Sequence, residues 1–451
     1  MEIHEPHPIN LDQQLEARQQ PDWPDPEALA SVLIEIRTKE PLVDFAEVDQ
    51  LRERLALVEA GEAIVLQEGP CAESFNDGPE TVKKMLESVI LPNFLVLAGS
   101  LGIPVVKIGR LAGQYGKPRS SPTEERDGQV YPSFRGEIVN APEFDIQARQ
   151  PNPQRMLNAY DHSQSTLATL RSLARGGFAD LRRINDWNVQ FAAVGAEAER
   201  ERYSALARQI GRSIDFMEAC GVNIERLSEL HEAEMYISHE ALLLEYEMAL
   251  IRESQDGRIY DASAHMLWIG ERTRALEEAH IAFAAEIENP VGVKIGPSAT
   301  PEDVIGLCER LNPNRIPGKL TLIPRMGANR IRHTLPPLLR AVQDNSHRVV
   351  WLSDPMHGNT ISHGASGKKT REFNAIVSEL KSFIDICRAE DVWPGGIHLE
   401  VSGDDVTECL GGNGPDEVGD LSRNYTSNCD PRLNPTQTIE LAFMVAEMLQ
   451  Q

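Results

Sequence analysis

The chain has 451 residues, 41% hydrophobic and 25% charged, a balance that lets a large core form and excludes disordered and fibrous classes. Its 44 Lys and Arg against 69 Asp and Glu leave a net charge of −25, a field that repels nucleic acid and anionic membrane surfaces. If its ligands are anions, the basic residues must be concentrated locally.

The N-terminus is acidic and Pro-rich to about Pro26. It has no basic region followed by an apolar stretch, so it does not read as a secretory signal. Apolar runs such as Ile64–Leu66 and Leu95–Ala98 fall short of a membrane span, and a cytoplasmic location is the default expectation. Residues 1–60 read as an N-terminal extension with amphipathic helical patterns around Ala28–Ile36 and Phe45–Val58, and no catalytic role is assigned to it. The six cysteines, at 71, 220, 308, 387, 409 and 429, lack the paired spacing of a zinc ribbon or disulfide framework.

From Ala63 onward, short β-branched runs alternate with helical stretches: Ala63–Gln67, Val105–Ile108, Leu181–Ile184, Met235–Ile237, Met266–Ile269, Val291–Ile295, Leu320–Ile323, Val349–Leu352 and Ile397–Val401. The alternation predicts an α/β fold, a (β/α)8 TIM barrel over residues 61–451. Nine runs compete for eight places, and Ile397–Val401 is taken as the addition. A charged stretch at about 196–233 is long for a connection; it reads as an inserted helical pair, or equally as a barrel helix and its neighbour. The glycines of Gly411–Gly419 predict an irregular, mobile loop.

Barrel chemistry gathers at the carboxyl ends of the strands. Directly after the apolar runs come Cys71, Arg110, Lys117, Glu271, Arg272, Arg325 and His357, with Lys294 at the end of its own run. Five of these are cations. One such residue is ordinarily a surface side chain lying over its own strand, but recurrence at several strand ends of an acidic chain points to a trap for phosphate or carboxylate. Cys71, His357, Glu400 and Asp430 offer one sulfur, one nitrogen and two carboxylates, a set that suits manganese, iron, cobalt or zinc over calcium. Their spacing is uninformative, and a buried cysteine beside an ordinary loop histidine reads as well. Gly109–Gly116 lacks the spacing of a dinucleotide fingerprint, and no phosphate-binding loop lysine follows a glycine at the required distance.

Seven segments resemble the type II 3-deoxy-D-arabino-heptulosonate 7-phosphate synthases, from about residue 60 to the C-terminus: Gln67–Ser74 (QEGPCAES), Lys107–Ser120 (KIGRLAGQYGKPRS), Trp268–Arg274 (WIGERTR), Gly292–Pro297 (GVKIGP), Asp354–Thr360 (DPMHGNT), Gly395–Glu400 (GGIHLE) and Cys429–Asn434 (CDPRLN). The resemblance implies condensation of phosphoenolpyruvate with erythrose 4-phosphate, opening the shikimate route to aromatic amino acids. It implies Cys71, His357, Glu400 and Asp430 as ligands of a divalent metal, Mn2+ or Co2+ first, then Fe2+ or Zn2+. Arg110, Glu271, Arg272, Lys294 and Arg325 match the phosphoenolpyruvate site, with Arg110, Lys294 and Arg325 as catalytic residues. Lys117, Arg119 and Ser120 match the end that receives the aldose phosphate. The family further implies an allosteric homo-oligomer, dimer or tetramer, with aromatic amino acid effectors and chorismate mutase as a partner. One departure stands out: Gly69-Pro70 precedes Cys71 where the family carries Gly-Asp, with Glu68 one place earlier. Alternative expectations are a paralogue using an amino-substituted aldose phosphate and a catalytically silent protein that binds aromatic metabolites.

Overall fold

The structure, a computed structural model, describes residues 9, 11–12, 14–126, 128–175, 197–220, 234–362, 368–416 and 421–451. Eight parallel strands close a barrel: β1 (Ile64–Gly69), β2 (Val105–Gly109), β3 (Tyr236–Glu240), β4 (Met266–Ile269), β5 (Val291–Ile295), β6 (Leu320–Pro324), β7 (Val350–Ser353) and β8 (Gly396–Glu400). Each is buried along nearly its whole length, as expected where interior side chains fill one face and helices cover the other.

One expectation is overturned here. Ile397–Val401 is not an addition, because β8 pairs with β7 through Leu352 and Ser353 and with β1 from Val65↔Gly396 to Gly69↔Glu400. Those two ladders close the barrel. The other run, Leu181–Ile184, lies outside the described residues.

The predicted N-terminal helices are α1 (Pro26–Arg37) and α2 (Phe45–Glu59). A capping box between Asp44 and Glu47 starts α2, satisfying backbone donors that a helix start leaves open. Its Leu51, Leu55 and Val58 pack with Val65, Tyr236, Met266 and Val350. Spacings of four and three residues put them on one face, and that face closes the amino-terminal mouth of the barrel. Burying each such side chain contributes about 1.5–3 kcal/mol.

Helix Glu197–Ala219 falls in the predicted insertion; residues 221–233 lie outside the described set. Its Tyr203 and Ala207 pack on Leu91, Leu95 and Val96 and on Ile439 and Phe443 of the C-terminal helix Pro435–Gln450. Among the described residues, one helical stretch, Pro79–Leu101, is long and apolar enough to cross a membrane, yet it is half buried against the protein. In the Gly-rich loop, Gly411 N–H donates to Pro415 O at 2.8 Å and Gln437 Nε2 to Gly411 O at 2.8 Å; residues 417–420 lie outside the described residues.

Candidate active site

All eight strands deliver a polar side chain to the carboxyl-end rim, within or just after the strand: Cys71 from β1, Arg110 from β2, Glu240 from β3, Glu271 and Arg272 from β4, Lys294 from β5, Arg325 from β6, His357 from β7 and Glu400 from β8. A cavity of about 350 Å³ is lined by Cys71, Arg110, Lys117, Arg119, Ser120, Glu271, Arg272, Lys294, Arg325, His357 and Asp430. These are all the residues singled out from the sequence except Glu400, which lies fully buried at its edge, 3.1 Å from His357 and 3.8 Å from Lys117.

His357, Glu400 and Asp430 bring ligand atoms within 4.8 Å of one another. Cys71 is not in that tight group, but its sulfur lies beside it and accepts the Asp430 N–H at 3.3 Å. Asp354, which sequence reasoning passed over, orients the histidine through His357 Nδ1 at 2.7 Å. The histidine Nε2 lies 3.1 Å from Glu400 Oε1, so the ring spans two carboxylates, an arrangement that only a shared cation or proton stabilises. The donor set therefore fits a divalent transition ion.

The two carboxylates are held ionised. Burial alone would raise Glu400, but His357, Arg371 and Lys117 outweigh it and hold it well below its ordinary value. Burial likewise opposes Asp430, and Lys117, Arg371 and Lys369 bring it far down despite the neighbouring Glu400. Lys117 Nζ lies 2.6 Å from Asp430 and Lys369 Nζ 2.8 Å from it, while Arg371 donates to Glu400 at 2.7 Å. Lys369 and Arg371 were also missed, since neither directly follows an apolar run.

At the other end, Lys294 Nζ meets Asp354 at 2.5 Å. Burial pushes this lysine down to about 8 against the pull of Asp354, so it remains an ammonium at neutral pH. Asp354 is in turn held well below the carboxylate range, because His357 and Lys294 outweigh its burial. Arg110 donates to Glu400 at 3.1 Å and to Pro70 O at 3.3 Å, and it bonds His398 Nε2. Burial, then Lys294 and Arg110, keep His398 neutral, and its Nδ1 is tied to Gln67 Oε1 at 2.7 Å. Trp268 underlies both cations, with Arg110 5.1 Å and Lys294 5.9 Å from its ring centre.

Arg272 donates to Ser120 Oγ at 2.8 Å and Arg325 to His357 O at 3.0 Å, so both guanidinium groups spend these bonds on neutral acceptors. Glu271 accepts Gly296 N–H at 2.5 Å and pairs with Arg274. Arg119 pairs with Glu124 at 2.6 Å.

The Gly69-Pro70 departure has a structural reading. A Cβ on Gly69 would meet Arg110 O at 2.6 Å, so glycine is required for β1 to pass this close to β2. Pro70 has no N–H but turns its carbonyl to Arg110. Glu68 does not replace a carboxylate at position 70: it points outward and accepts from Asn93 Nδ2 at 2.9 Å.

Barrel, cationic rim and donor cluster together define a (β/α)8 enzyme built for anionic substrates beside a metal-type site. Residues 9–446 match the profile described as the Class-II DAHP synthetase family, and the chain belongs to that family. It is 48% identical over 436 residues to the phospho-2-dehydro-3-deoxyheptonate aldolase of Streptomyces coelicolor, covering 96% of this chain and 95% of that one. It is 44% identical over 439 residues to the phospho-2-dehydro-3-deoxyheptonate aldolase AroG of Mycolicibacterium smegmatis, covering 96% and 92%. A solved DAHP synthase from Thermotoga maritima aligns with a TM-score of 0.37 and 14% identity over 86% of this chain and 68% of that one.

Proposed function

We propose that this chain condenses phosphoenolpyruvate with erythrose 4-phosphate, releasing inorganic phosphate and making the seven-carbon DAHP. The observation that carries this reading is the convergence in one rim cavity of seven cationic side chains, Arg110, Lys117, Arg119, Arg272, Lys294, Arg325 and Lys369, with the His357–Glu400–Asp430 cluster.

His357, Glu400 and Asp430, with Cys71 beside them, would hold the ion, manganese or cobalt first and iron or zinc next. When bound, it supplies a Lewis acid for the aldehyde oxygen, where negative charge develops. Arg110, Lys294, Arg272 and Arg325 bind the carboxylate and phosphate of phosphoenolpyruvate, and Glu271 holds the Gly296 backbone beside them. Lys117, Arg119 and Ser120 take the aldose phosphate. Neutralising two polyanions side by side and fixing their separation is the main task of these side chains. The methylene carbon of the enol bonds to the aldehyde carbon, and the aldehyde oxygen takes up a proton. Water adds to the former enol C2, and the bond from C2 to the phosphate oxygen breaks. Trp268 covers the inner faces of Arg110 and Lys294, limiting their hydration.

The test is a substrate panel: phosphoenolpyruvate with erythrose 4-phosphate or its amino analogue, with and without chelator. Phosphate release requiring phosphoenolpyruvate, erythrose 4-phosphate and metal is expected. Turnover of the amino analogue alone would move the enzyme to another pathway, and turnover surviving full chelation would remove the metal role. The same reading places the enzyme in the cytoplasm as a homo-oligomer open to aromatic amino acid effectors and to chorismate mutase. Helix Glu197–Ala219 supports a regulatory or packing role, for it lies on the helical layer and leaves Phe216 68% exposed.

A further inference from the structure

The N-terminal extension reaches the rim. Over residues 16–23 it crosses the loops that follow β2, β3 and β4. Glu16 O accepts Ala279 N–H at 3.1 Å, and Arg18 pairs with Glu278 at 2.7 Å. Gln20 donates to Leu242 O at 2.8 Å and accepts Leu244 N–H at 3.2 Å. Trp23 Nε1 donates to Glu245 at 2.6 Å. These bonds fix the strap to the barrel.

Gln19 does something different. Its Oε1 accepts the Arg119 N–H at 2.8 Å while its Nε2 donates to Arg119 O at 3.2 Å, so one amide grips both polar groups of one backbone residue. Its own carbonyl accepts from Arg135 NH1 at 3.1 Å. Gln19 sits at φ 63°, a left-handed conformation that strains a side-chain-bearing residue. A glycine would remove that strain, but it has no amide to hold Arg119.

We infer that Gln19 is a positioning residue for the aldose-phosphate end of the cavity, acting through the Arg119 backbone from a segment outside the barrel strands. The strap stays anchored through Glu16, Arg18, Gln20 and Trp23 when the Gln19 side chain is lost. What is freed is the Lys117–Ser120 loop, whose side-chain ties are then Lys117 to Asp430 and Glu400, Arg119 to Glu124 and Ser120 to Arg272. The inference rests on the substrate assignment proposed above.

The experiment compares wild type with Gln19→Gly, which suits the left-handed backbone and deletes the amide, and with Gln19→Glu, which keeps the acceptor for Arg119 N–H and loses the donor. Wild type is assayed first, and its failure to turn over would sink the functional reading, not this one. Losing two neutral hydrogen bonds predicts that Gln19→Gly raises KM for erythrose 4-phosphate roughly tenfold. KM for phosphoenolpyruvate should stay within about twofold, and Gln19→Glu should fall between wild type and Gln19→Gly. An erythrose 4-phosphate KM unchanged in folded Gln19→Gly would overturn the inference. So would a parallel rise of both KM values, since that is what a merely structural strap gives. If Gln19→Gly does not fold, Gln19→Glu decides by the same split.

Discussion

Asp354→Asn isolates a carboxylate that ties Lys294 to the His357 ring. Its Oδ2 accepts from Lys294 Nζ at 2.5 Å and His357 Nδ1 at 2.7 Å, while Oδ1 accepts the N–H groups of Met356 and His357 at 3.0 and 3.1 Å. An asparagine keeps the Oδ1 pair but sets an N–H donor against an ammonium and a ring N–H. Lys294, already pushed down to about 8 by burial, loses the charge that most supports its protonation. Breaking one side of a buried ion pair costs about 3–5 kcal/mol. If that loss is carried into the transition state, kcat/KM for phosphoenolpyruvate falls by about two to four orders of magnitude. The assay is steady-state kinetics at saturating erythrose 4-phosphate, with metal content measured after dialysis, because the same change frees the His357 ring. Adding Lys294→Met should raise the thermal midpoint above that of Asp354→Asn alone, since the stranded charge is gone, without restoring activity. A folded Asp354→Asn protein within about threefold of wild type and with full metal content would refute the reasoning.

Two further predictions concern buried acids and thiols. Burial raises Glu68 to about 8 against the Asn93 hydrogen bond, and Glu68 Oε1 has no hydrogen-bond partner among the described residues, so the single Asn93 bond to Oε2 is left to compensate a buried charge. Its folded value exceeds the unfolded 4.5, so its stability contribution is full below about pH 4.5 and is lost as pH rises through 8, at about 1.4 kcal/mol per unit. Glu68→Gln should flatten that decline in urea midpoints measured from pH 5 to 9, and an unaltered pH slope would count against a protonated Glu68. Cys71 is lowered to about 6, first by its hydrogen bond with Cys429 and then by Lys117 against burial, whereas burial raises Cys308, Cys387 and Cys409. Peroxide treatment of metal-free protein should therefore link Cys71 to Cys429, with peroxide reduced to water and reversal by dithiothreitol. Peptide mapping that finds both thiols free after oxidation would end the idea.

The barrel was legible because parallel strands buried on both faces read as short apolar runs. Ile397–Val401 was misjudged because nothing local distinguishes the closing strand from an extra one; its place is fixed by partners more than three hundred residues away in β1. At the site, the rim cations could be read because each stands after a run or, for Lys294, at the end of one. Asp354 was in view, three residues before His357, but nothing in a linear pattern says that a carboxylate serves Lys294 sixty residues upstream. Lys369 and Arg371 reach Asp430 and Glu400 only through the fold. Gln19 was invisible for the same reason, since its partner lies one hundred residues along the chain.

The charge arrangement explains how so acidic a chain holds polyanions. Cations buried at the rim would be costly alone, and most are paired: Arg110 and Arg371 with Glu400, Lys117 and Lys369 with Asp430, Lys294 with Asp354, Arg119 with Glu124. Pairing offsets desolvation but also spends the charge. Arg272 and Arg325, bonded to a hydroxyl and a backbone carbonyl, keep theirs. The cavity thus differs between its ends: around the donor cluster the four cations are all committed to ion pairs with Glu400 and Asp430, whereas Arg272 and Arg325 hold neutral acceptors on the side where the more highly charged phosphoenolpyruvate is proposed to lie. A uniformly basic pocket would attract both substrates without ordering them; one whose cations are committed to ion pairs at one end and held by neutral acceptors at the other favours a single arrangement, and an aldol-type condensation needs the enol and the aldehyde on the correct sides of one another.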